Sequence, residues 1–139
     1  MTRSKIWAHR GASAKLPENT LTAFAKAVEV GADGLELDVQ RTADGVLVVT
    51  HDEDCLRVAG QPGEIAKMTL AELRKLNFAA FFPGAAPEVI PTLAEVFDLI
   101  KPGSLTINIE MKNALVLYPG LEAQILKLTT EWGMQDRVQ

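Results

Sequence analysis

The stretch Leu35-Glu36-Leu37-Asp38-Val39 alternates strictly between apolar and acidic residues. This period of two is typical of a β-strand, in which successive side chains point to opposite faces of the sheet. We therefore expect Glu36 and Asp38 to share one face, while the apolar residues pack against helices on the other. A solvent-facing edge strand is the alternative for an isolated acidic pair, but parallel sheets are covered on both faces, which makes it less favourable.

The residues before this stretch predict a strand followed by a helix. Ile6-Trp7-Ala8 has the composition of a short buried strand. Asn19 is the expected N-cap of the first helix, and Gly31 is its expected end. The apolar residues that recur between them at helical spacing are Leu21, Phe24, Ala25 and Val28.

A hairpin and a loop are expected after the stretch. Residues 46–50 are apolar and β-branched, and they follow the turn dipeptide Asp44-Gly45, a combination that predicts a hairpin strand. Residues 52–68 are rich in glycine and charged groups, so we expect a loop or a small insertion there. Cys55 lies within this segment, and we expect it to be structural or loop-borne.

Two helix starts and a further strand are predicted in the second half of the sequence. Thr69 and Thr92 each begin a capping box, with Glu three residues later and an apolar continuation. Residues 106–112 alternate again and predict a strand with a polar face, and residues 121–132 predict a last helix. The tryptophans Trp7 and Trp132 are expected in the core. The second capped helix should bury Leu93, Val96, Phe97 and Ile100.

The alternation of strands and helices argues for an α/β fold with a parallel sheet, either doubly wound or a (β/α)8 barrel. In a barrel, the chemistry lies where the strands end at the carboxyl face. His9, Glu36, Asp38 and Glu110 all fall at or near predicted strand ends. Their positions favour the barrel.

The acidic residues on the predicted strands point to a metal site. Two carboxylates side by side, Glu36 and Asp38, repel each other unless a cation joins them, and Glu110 can bring a third to the same place. Oxygen ligands of this kind suit hard divalent ions, Mg²⁺ or Ca²⁺, with Mn²⁺ as a further candidate.

Basic residues at the strand ends suit an anionic substrate. His9 and His51 are the two histidines of the chain, and each closes a predicted strand, where a general acid and a general base are needed. Arg10 has the forked donor geometry that suits a phosphate. Lys112 can neutralise a phosphate oxygen, although a surface lysine at a strand end is the alternative interpretation.

Composition excludes several classes of partner. The chain has 139 residues, 47% of them hydrophobic, which is enough for a core, and its formal charge of -4 gives no footprint for nucleic acid. A single cysteine allows no internal disulfide. The polar N-terminal segment from Met1 and the lack of a long apolar run predict neither a secretory signal nor a membrane span, so we expect a cytoplasmic protein.

The ordered set of motifs resembles the glycerophosphodiester phosphodiesterase family. The likeness covers nearly the whole chain, and no single motif decides it. The segments that carry it are Ala8-His9-Arg10-Gly11, Pro17-Glu18-Asn19-Thr20, Gly31-Ala32-Asp33, Glu36-Leu37-Asp38-Val39, Thr42 with Asp44-Gly45, Val49 to Asp52, Ile90-Pro91-Thr92-Leu93 and Asn108-Ile109-Glu110-Met111-Lys112.

The resemblance implies a TIM-type (β/α)8 barrel that hydrolyses glycerophosphodiesters to glycerol 3-phosphate and an alcohol, a step of glycerol and lipid metabolism. By likeness to the family, one divalent cation is held by three carboxylates, the two histidines form the acid/base pair, and a basic pair binds the substrate phosphate. The residues at these positions are Glu36, Asp38 and Glu110 for the metal, His9 and His51 for proton transfer, and Arg10 and Lys112 for the phosphate.

The length of the chain is the main departure from the family. A full barrel takes about 250 residues, so residues 1–139 are expected to form a single C-terminally truncated domain, roughly the N-terminal half of the barrel, with the insertion at 52–68. Open half-barrel edges favour homo-oligomers. Two rival functions stay open: a non-catalytic metal- or phosphodiester-binding fragment, and a phospholipase D-like relative. Val58-Ala59 stands where the family often has threonines, which bears on substrate choice.

Overall fold

Residues 3–139, the part of the chain that the computed structural model describes, form four strands and five α-helices. Met1 and Thr2, which open the polar N-terminal segment considered above, lie outside the described residues. The strands are β1 (Trp7–His9), β2 (Gly34–Arg41), β3 (Leu47–Val49) and β4 (Thr106–Met111). The helices are α1 (Leu21–Glu29), α2 (Leu56–Ala59), α3 (Leu70–Leu73), α4 (Leu93–Ile100) and α5 (Leu121–Glu131), with a 3₁₀ turn at Ile65–Lys67.

Strand β2 is the centre of the sheet. It runs parallel to β1 and β4 and forms the predicted antiparallel hairpin with β3. The register places Glu36 opposite His9 of β1, and Asp38 opposite Glu110 of β4. The polar residues of three predicted strands therefore meet on one part of the sheet.

The apolar side of β2 packs against helices, as its period of two predicts. Leu35, Leu37 and Val39 are completely buried and belong to one cluster with residues of α1, α4 and α5. Helix α4 starts at the predicted capping box of Thr92, and its four predicted apolar residues are all buried. Burial of large aliphatic and aromatic side chains contributes about 1.5–3 kcal/mol each, so this cluster holds the helices on the sheet.

Residues 52–68 contain more structure than the expected loop. They form α2 and the 3₁₀ turn, and they cover a second apolar cluster beneath the hairpin. Cys55, Ile65 and Leu73 are completely buried in this cluster. The capping box at Thr69 begins α3 as predicted. This second cluster attaches the segment firmly beside the carboxyl end of β3.

Helix α1 differs from its prediction at its start and on its buried face. Thr20, and not Asn19, is the N-cap, because the Thr20 hydroxyl accepts a hydrogen bond from Ala23 N. The buried residues are Ala23, Phe24 and Ala27, whereas Ala25 and Val28 are exposed. Successive residues of an α-helix lie about 100° apart around its axis, so a face predicted one residue out of place no longer points at the sheet.

Strand β1 is not buried, contrary to the prediction. Trp7 is 37% exposed and Ile6 is 61% exposed. The reason is topological: in the described residues β1 pairs with β2 alone, so its other edge is open. The Trp7 ring lies over Gly34, where a Cβ atom would come within 2.6 Å of it. Trp132, also expected in the core, is partly buried against the main cluster.

The opposite edge of the sheet carries a short continuation. Residue Val138 forms a parallel bridge with Ile107 of β4, and Ile109 N donates to Gln139 O at 2.9 Å. Strand, helix and parallel strand thus recur in the order expected for a segment of a (β/α)8 barrel. No helix within residues 3–139 is both long and apolar enough to span a membrane.

Candidate functional site

Three carboxylates converge where β2 and β4 lie side by side. Glu36, Asp38 and Glu110 each offer an oxygen, and these oxygens lie within 4.8 Å of one another. Their exposure differs: the Asp38 side chain is completely buried, that of Glu36 is 14% exposed and that of Glu110 is 53% exposed. The site is therefore open to solvent on the Glu110 side and closed beneath Asp38.

The carboxylates act on one another's ionisation. Burial raises the pKa of Glu36, and the neighbouring charge of Asp38 raises it further. For Glu110, the hydrogen bond and the positive charge of Lys112 lower the pKa, and the charge of Arg10 also lowers it. Like charges so close together favour either a shared proton or a bound cation.

Two basic side chains flank Asp38. Arg10 Nε lies 3.4 Å from Asp38 Oδ2, and Lys112 Nζ lies 3.2 Å from Asp38 Oδ1. Lys112 also pairs with Glu110. The Lys112 side chain is only 13% exposed, so the surface interpretation of this lysine is wrong. Hydrogen bonds to both carboxylates raise the pKa of Lys112, against the effect of its burial.

The site residues fit a hard divalent cation. Among the described residues, Asn19 Oδ1 is a buried oxygen without a hydrogen-bond donor, and the buried Asp38 Oδ1 has only the Lys112 ammonium, 3.2 Å away, as an ion-pair partner. Buried polar atoms are nearly always satisfied, so buried oxygens with so few partners, next to the Glu36 and Glu110 carboxylates, form an arrangement that a cation can complete. Glu36, Asp38 and Glu110 are the residues that can hold such an ion, and their all-oxygen set suits Mg²⁺, Ca²⁺ or Mn²⁺.

The loop after β1 brings Arg10 and Asn19 to the site. Arg10 and Asn19 have φ angles of 56° and 55°, and Gly11 has 78°, so the backbone turns sharply there. Asn19 N donates to Arg10 O at 3.0 Å, and Asn19 Nδ2 donates to Asp38 Oδ2 at 2.9 Å. Asn19 was predicted to be the N-cap of α1, whereas it contacts Asp38 in the site. Asparagine tolerates a positive φ better than most residues, and this property could have indicated that Asn19 lies in the turn before the cap.

The two histidines adjoin different parts of the cluster. His9 Nε2 lies 3.6 Å from Glu36 Oε2, and the His9 side chain is 67% exposed. His51 Nδ1 lies 2.6 Å from Asp52 Oδ1. Gln40, buried on β2, donates from Nε2 to the His51 carbonyl at 3.1 Å and so fixes the backbone there.

A charged network outside the predicted residues joins the site to α2. Glu18 accepts from Arg10 Nη1 at 3.2 Å and from Arg57, which also donates to Asp52. No role was predicted from the sequence for Glu18, Asp52 or Arg57. Glu18 and Arg57 lie 39 positions apart, and no periodicity in a sequence couples residues at that distance.

Parallel strands joined by helices, with a polar cluster where the strands end, are typical of the α/β barrel class. Residues 9–133 match the family model described as "Glycerophosphoryl diester phosphodiesterase family". A glycerophosphodiester phosphodiesterase from Caldanaerobacter subterraneus subsp. tengcongensis is 47% identical over 98% of this chain and 56% of its own length. One from Bacillus altitudinis is 41% identical over 97% of this chain and 56% of its own.

Solved structures agree with the sequence relatives. The crystal structure of glycerophosphodiester phosphodiesterase from Agrobacterium tumefaciens matches with a TM-score of 0.86 and 32% identity, over 98% of this chain and 56% of that chain. An Oleispira antarctica phosphodiesterase, solved in complex with the product sn-glycerol-3-phosphate, matches with a TM-score of 0.75 and 31% identity, over 98% and 53% of the two chains.

The chain belongs to the glycerophosphoryl diester phosphodiesterase family. Its fold is that of the TIM-type barrel family, of which it forms roughly the N-terminal half. It spans about half the length of the curated relatives it matches. The fold class and the family resemblance drawn from the sequence are therefore confirmed.

Proposed function

We propose that this protein acts in the metal-dependent hydrolysis of glycerophosphodiesters to glycerol 3-phosphate and an alcohol. One observation carries the proposal: the oxygens of Glu36, Asp38 and Glu110 lie within 4.8 Å of one another, with Arg10 and Lys112 beside them. The names of the relatives and the product complex of the Oleispira antarctica structure support the same substrate class.

Arg10 and Lys112 bind the phosphodiester in this proposal. The Arg10 guanidinium presents a fork of N–H donors to phosphate oxygens, and the Lys112 ammonium is a compact positive charge. Both are largely buried, so their charges are poorly screened by water. A divalent cation bound by the three carboxylates supplies Lewis-acid stabilisation of the charge that grows on the phosphate. Mg²⁺ or Ca²⁺ is the proposed ion, with Mn²⁺ as a further candidate.

His9 and His51 carry the protons. One neutral imidazole takes a proton from the attacking hydroxyl, which belongs to water or to the glycerol of the substrate, as the new phosphorus–oxygen bond forms. The other imidazole, protonated, donates to the alcohol oxygen as its bond to phosphorus breaks. The Nδ1 atom of His51 faces the Asp52 carboxylate, which leaves Nε2 for proton transfer.

The test is hydrolysis of glycerophosphocholine by the 139-residue chain. EDTA and Asp38→Asn are each expected to lower kcat/KM by about 10²-fold or more, because charge stabilisation in the transition state is lost. Glu122→Gln, an exposed position on α5, is the matched control and should leave turnover unchanged. Turnover that resists EDTA and also survives Asp38→Asn would contradict the proposal.

Metal binding and substrate choice distinguish the proposed function from its two rivals. Titration calorimetry with Mg²⁺ and Ca²⁺ that detects binding while no glycerophosphodiester is hydrolysed would favour a non-catalytic metal-binding fragment. Hydrolysis of a lysophospholipid but not of glycerophosphocholine would favour a phospholipase D-like relative. His51→Ala is expected to abolish turnover and to retain metal binding, because His51 is not among the three oxygen ligands.

A further inference from the structure

Arg57, on α2, joins two carboxylates with a single guanidinium group. Its Nε donates to Asp52 Oδ2 at 2.6 Å, and its Nη2 donates to Asp52 Oδ1 at 3.1 Å. Towards the other side, Nη1 and Nη2 donate to Glu18 Oε2 and Oε1 at 3.0 and 2.7 Å. Both carboxylates are thus held bidentately, the geometry that gives an arginine the most control over the orientation of a partner.

Each of these carboxylates in turn holds a residue of the candidate site. Asp52 Oδ1 lies 2.6 Å from His51 Nδ1. Glu18 Oε1 accepts from Arg10 Nη1 at 3.2 Å. The hydrogen bonds from Arg57 lower the pKa of Glu18, and they lower that of Asp52 to about 2, so both are anionic at neutral pH.

We propose that Arg57 is a positioning residue that fixes the tautomer of His51 through Asp52 and the orientation of Arg10 through Glu18. An ionised carboxylate only accepts hydrogen bonds, so the neutral His51 ring must carry its proton on Nδ1 and expose the lone pair of Nε2. Arg57 occupies both Asp52 oxygens and prevents the carboxylate from turning away. The kinetic part of this inference rests on the proposed function.

The packing of α2 does not depend on Arg57, so a positioning role of Arg57 can be distinguished from a structural one. The segment is anchored by the buried Cys55 and Ala59, and by Cys55 N, which donates to Gly63 O at 2.9 Å. The Arg57 side chain is 49% exposed, and the side-chain hydrogen bonds found for it in the described residues go to Glu18 and Asp52. Its removal should therefore disturb those two carboxylates more than the helix that carries it.

The first experiment reads the tautomer directly. In ¹⁵N NMR spectra of the full chain at a pH where the ring is neutral, His51 should be protonated on Nδ1. Arg57→Ala should shift a measurable fraction to the Nε2–H form, and Arg57→Lys, which lacks the fork, should restore it only in part. His9, the other histidine of the chain, is the internal reference and should not change. An unchanged His51 tautomer in Arg57→Ala would overturn the proposal.

The matched control is Arg74→Ala, at the residue that follows α3. Arg74 pairs with Glu95 and is 35% exposed, so its loss costs a comparable surface ion pair away from the site. It should leave the His51 signals unchanged, and a shift as large as that of Arg57→Ala would contradict the proposal. Thermal unfolding checks that both variants are folded. If Arg57→Ala is not, Arg57→Gln, which keeps most of the side-chain volume, takes its place and must show the same tautomer shift.

The second experiment uses turnover of glycerophosphocholine. Arg57→Ala should lower kcat about 10–100-fold, the range expected when a catalytic group is misplaced by about 1 Å. Because Arg57 acts through Asp52 and Glu18, adding Arg57→Ala to the double variant Asp52→Asn/Glu18→Gln should leave the kcat of that double variant unchanged within about 2-fold. Effects that multiply would overturn the proposal. A chain without turnover would contradict the proposed function, while the tautomer measurement would still decide the role of Arg57.

Discussion

The Asp38 carboxyl group has no contact with solvent, so a charge on it must be compensated inside the protein. Arg10 and Lys112 supply two positive charges, but Glu36 and Glu110 add two negative ones. The five residues together therefore keep a net negative charge at neutral pH if all are ionised. In the proposed function, a divalent cation held by the three carboxylates would reverse that balance, so binding of the anionic substrate should depend on the metal.

Asp52 should make a pH-dependent contribution to stability. Its pKa falls from 3.8 to about 2 in the folded chain, chiefly through the hydrogen bond from Arg57. A depressed acid pKa stabilises the folded state fully above about pH 4, and the contribution is lost as the pH falls through 2. After solvent screening we expect Asp52→Asn to lower the free energy of unfolding by about 1 kcal/mol at pH 7.

Urea denaturation of wild type and Asp52→Asn between pH 7 and pH 2 checks this expectation. The difference between the two proteins should shrink below pH 4 and approach zero near pH 2. Asp98→Asn, at an exposed position on α4, is the control and should change the unfolding free energy by less than about 0.5 kcal/mol at pH 7. A difference for Asp52→Asn that is independent of pH would show that its ion pairs do not stabilise the fold.

Gly11 is required both by its backbone angle and by the space around it. Its φ is 78°, and a Cβ atom there would lie 2.8 Å from the backbone carbon of Ala23 in α1. Gly31 has a similar φ of 74° with open space around it. Gly31→Ala should therefore cost only the backbone strain of about 1–2 kcal/mol, and Gly11→Ala at least about 1 kcal/mol more.

Chemical denaturation of the two glycine variants measures this difference. Because the loop at Gly11 also carries Arg10, the Gly11→Ala variant should lose activity as well as stability. Equal free energies of unfolding for the two variants would mean that the loop and α1 move apart without cost.

The two capping boxes are equivalent in sequence but not in what they support. Thr92 begins α4, whose Leu93 and Phe97 are completely buried in the main cluster, whereas Thr69 begins the four-residue α3. Thr92→Ala should lower the free energy of global unfolding by about 1 kcal/mol. Thr69→Ala should lower it by less than about 0.5 kcal/mol, because α3 can fray locally.

Hydrogen exchange distinguishes the two outcomes. In Thr69→Ala only the amides at the start of α3 should exchange faster, whereas in Thr92→Ala protection should fall throughout the main cluster. Identical effects on global unfolding would contradict this division of the molecule.

The open edge beside β1 should drive self-association of the 139-residue chain. Ile6 and Val30 are 61% and 65% exposed, and they lie next to an unpaired strand edge in the described residues. Such edges and apolar patches favour pairing between chains. Ile6→Lys should weaken association on the order of tenfold, because the burial of one isoleucine side chain is lost.

Sedimentation velocity over a range of protein concentrations measures the association. Leu126→Lys is the matched control, since Leu126 is 67% exposed on α5 and is not part of the β1 edge. It should leave the association constant unchanged. A chain that stays monomeric at every concentration, or equal effects of the two variants, would show that this edge does not drive oligomer formation.

Local patterns were sufficient for most of the elements. The period of two in β2 and β4 and the two capping boxes were confirmed because their signals act within a few residues. The prediction of the N-cap and of the buried face of α1 was wrong, because Asn19 and Thr20 are both residues that favour the N-cap position. In the folded chain the Asn19 side chain donates to Asp38, and Thr20 caps the helix. The metal and catalytic roles of the seven site residues stay predictions, and the structure adds their geometry.

The sequence by itself determined the α/β alternation, the acidic row of β2 and the family, since covalent order and short periodicities carry these directly. Only the tertiary structure decided that β1 is exposed, that Lys112 is buried between Asp38 and Glu110, and that Arg57 links Glu18 to Asp52. These facts depend on which distant segments pack together. Burial and pairing across tens of residues are properties of the folded chain, and no local pattern encodes them.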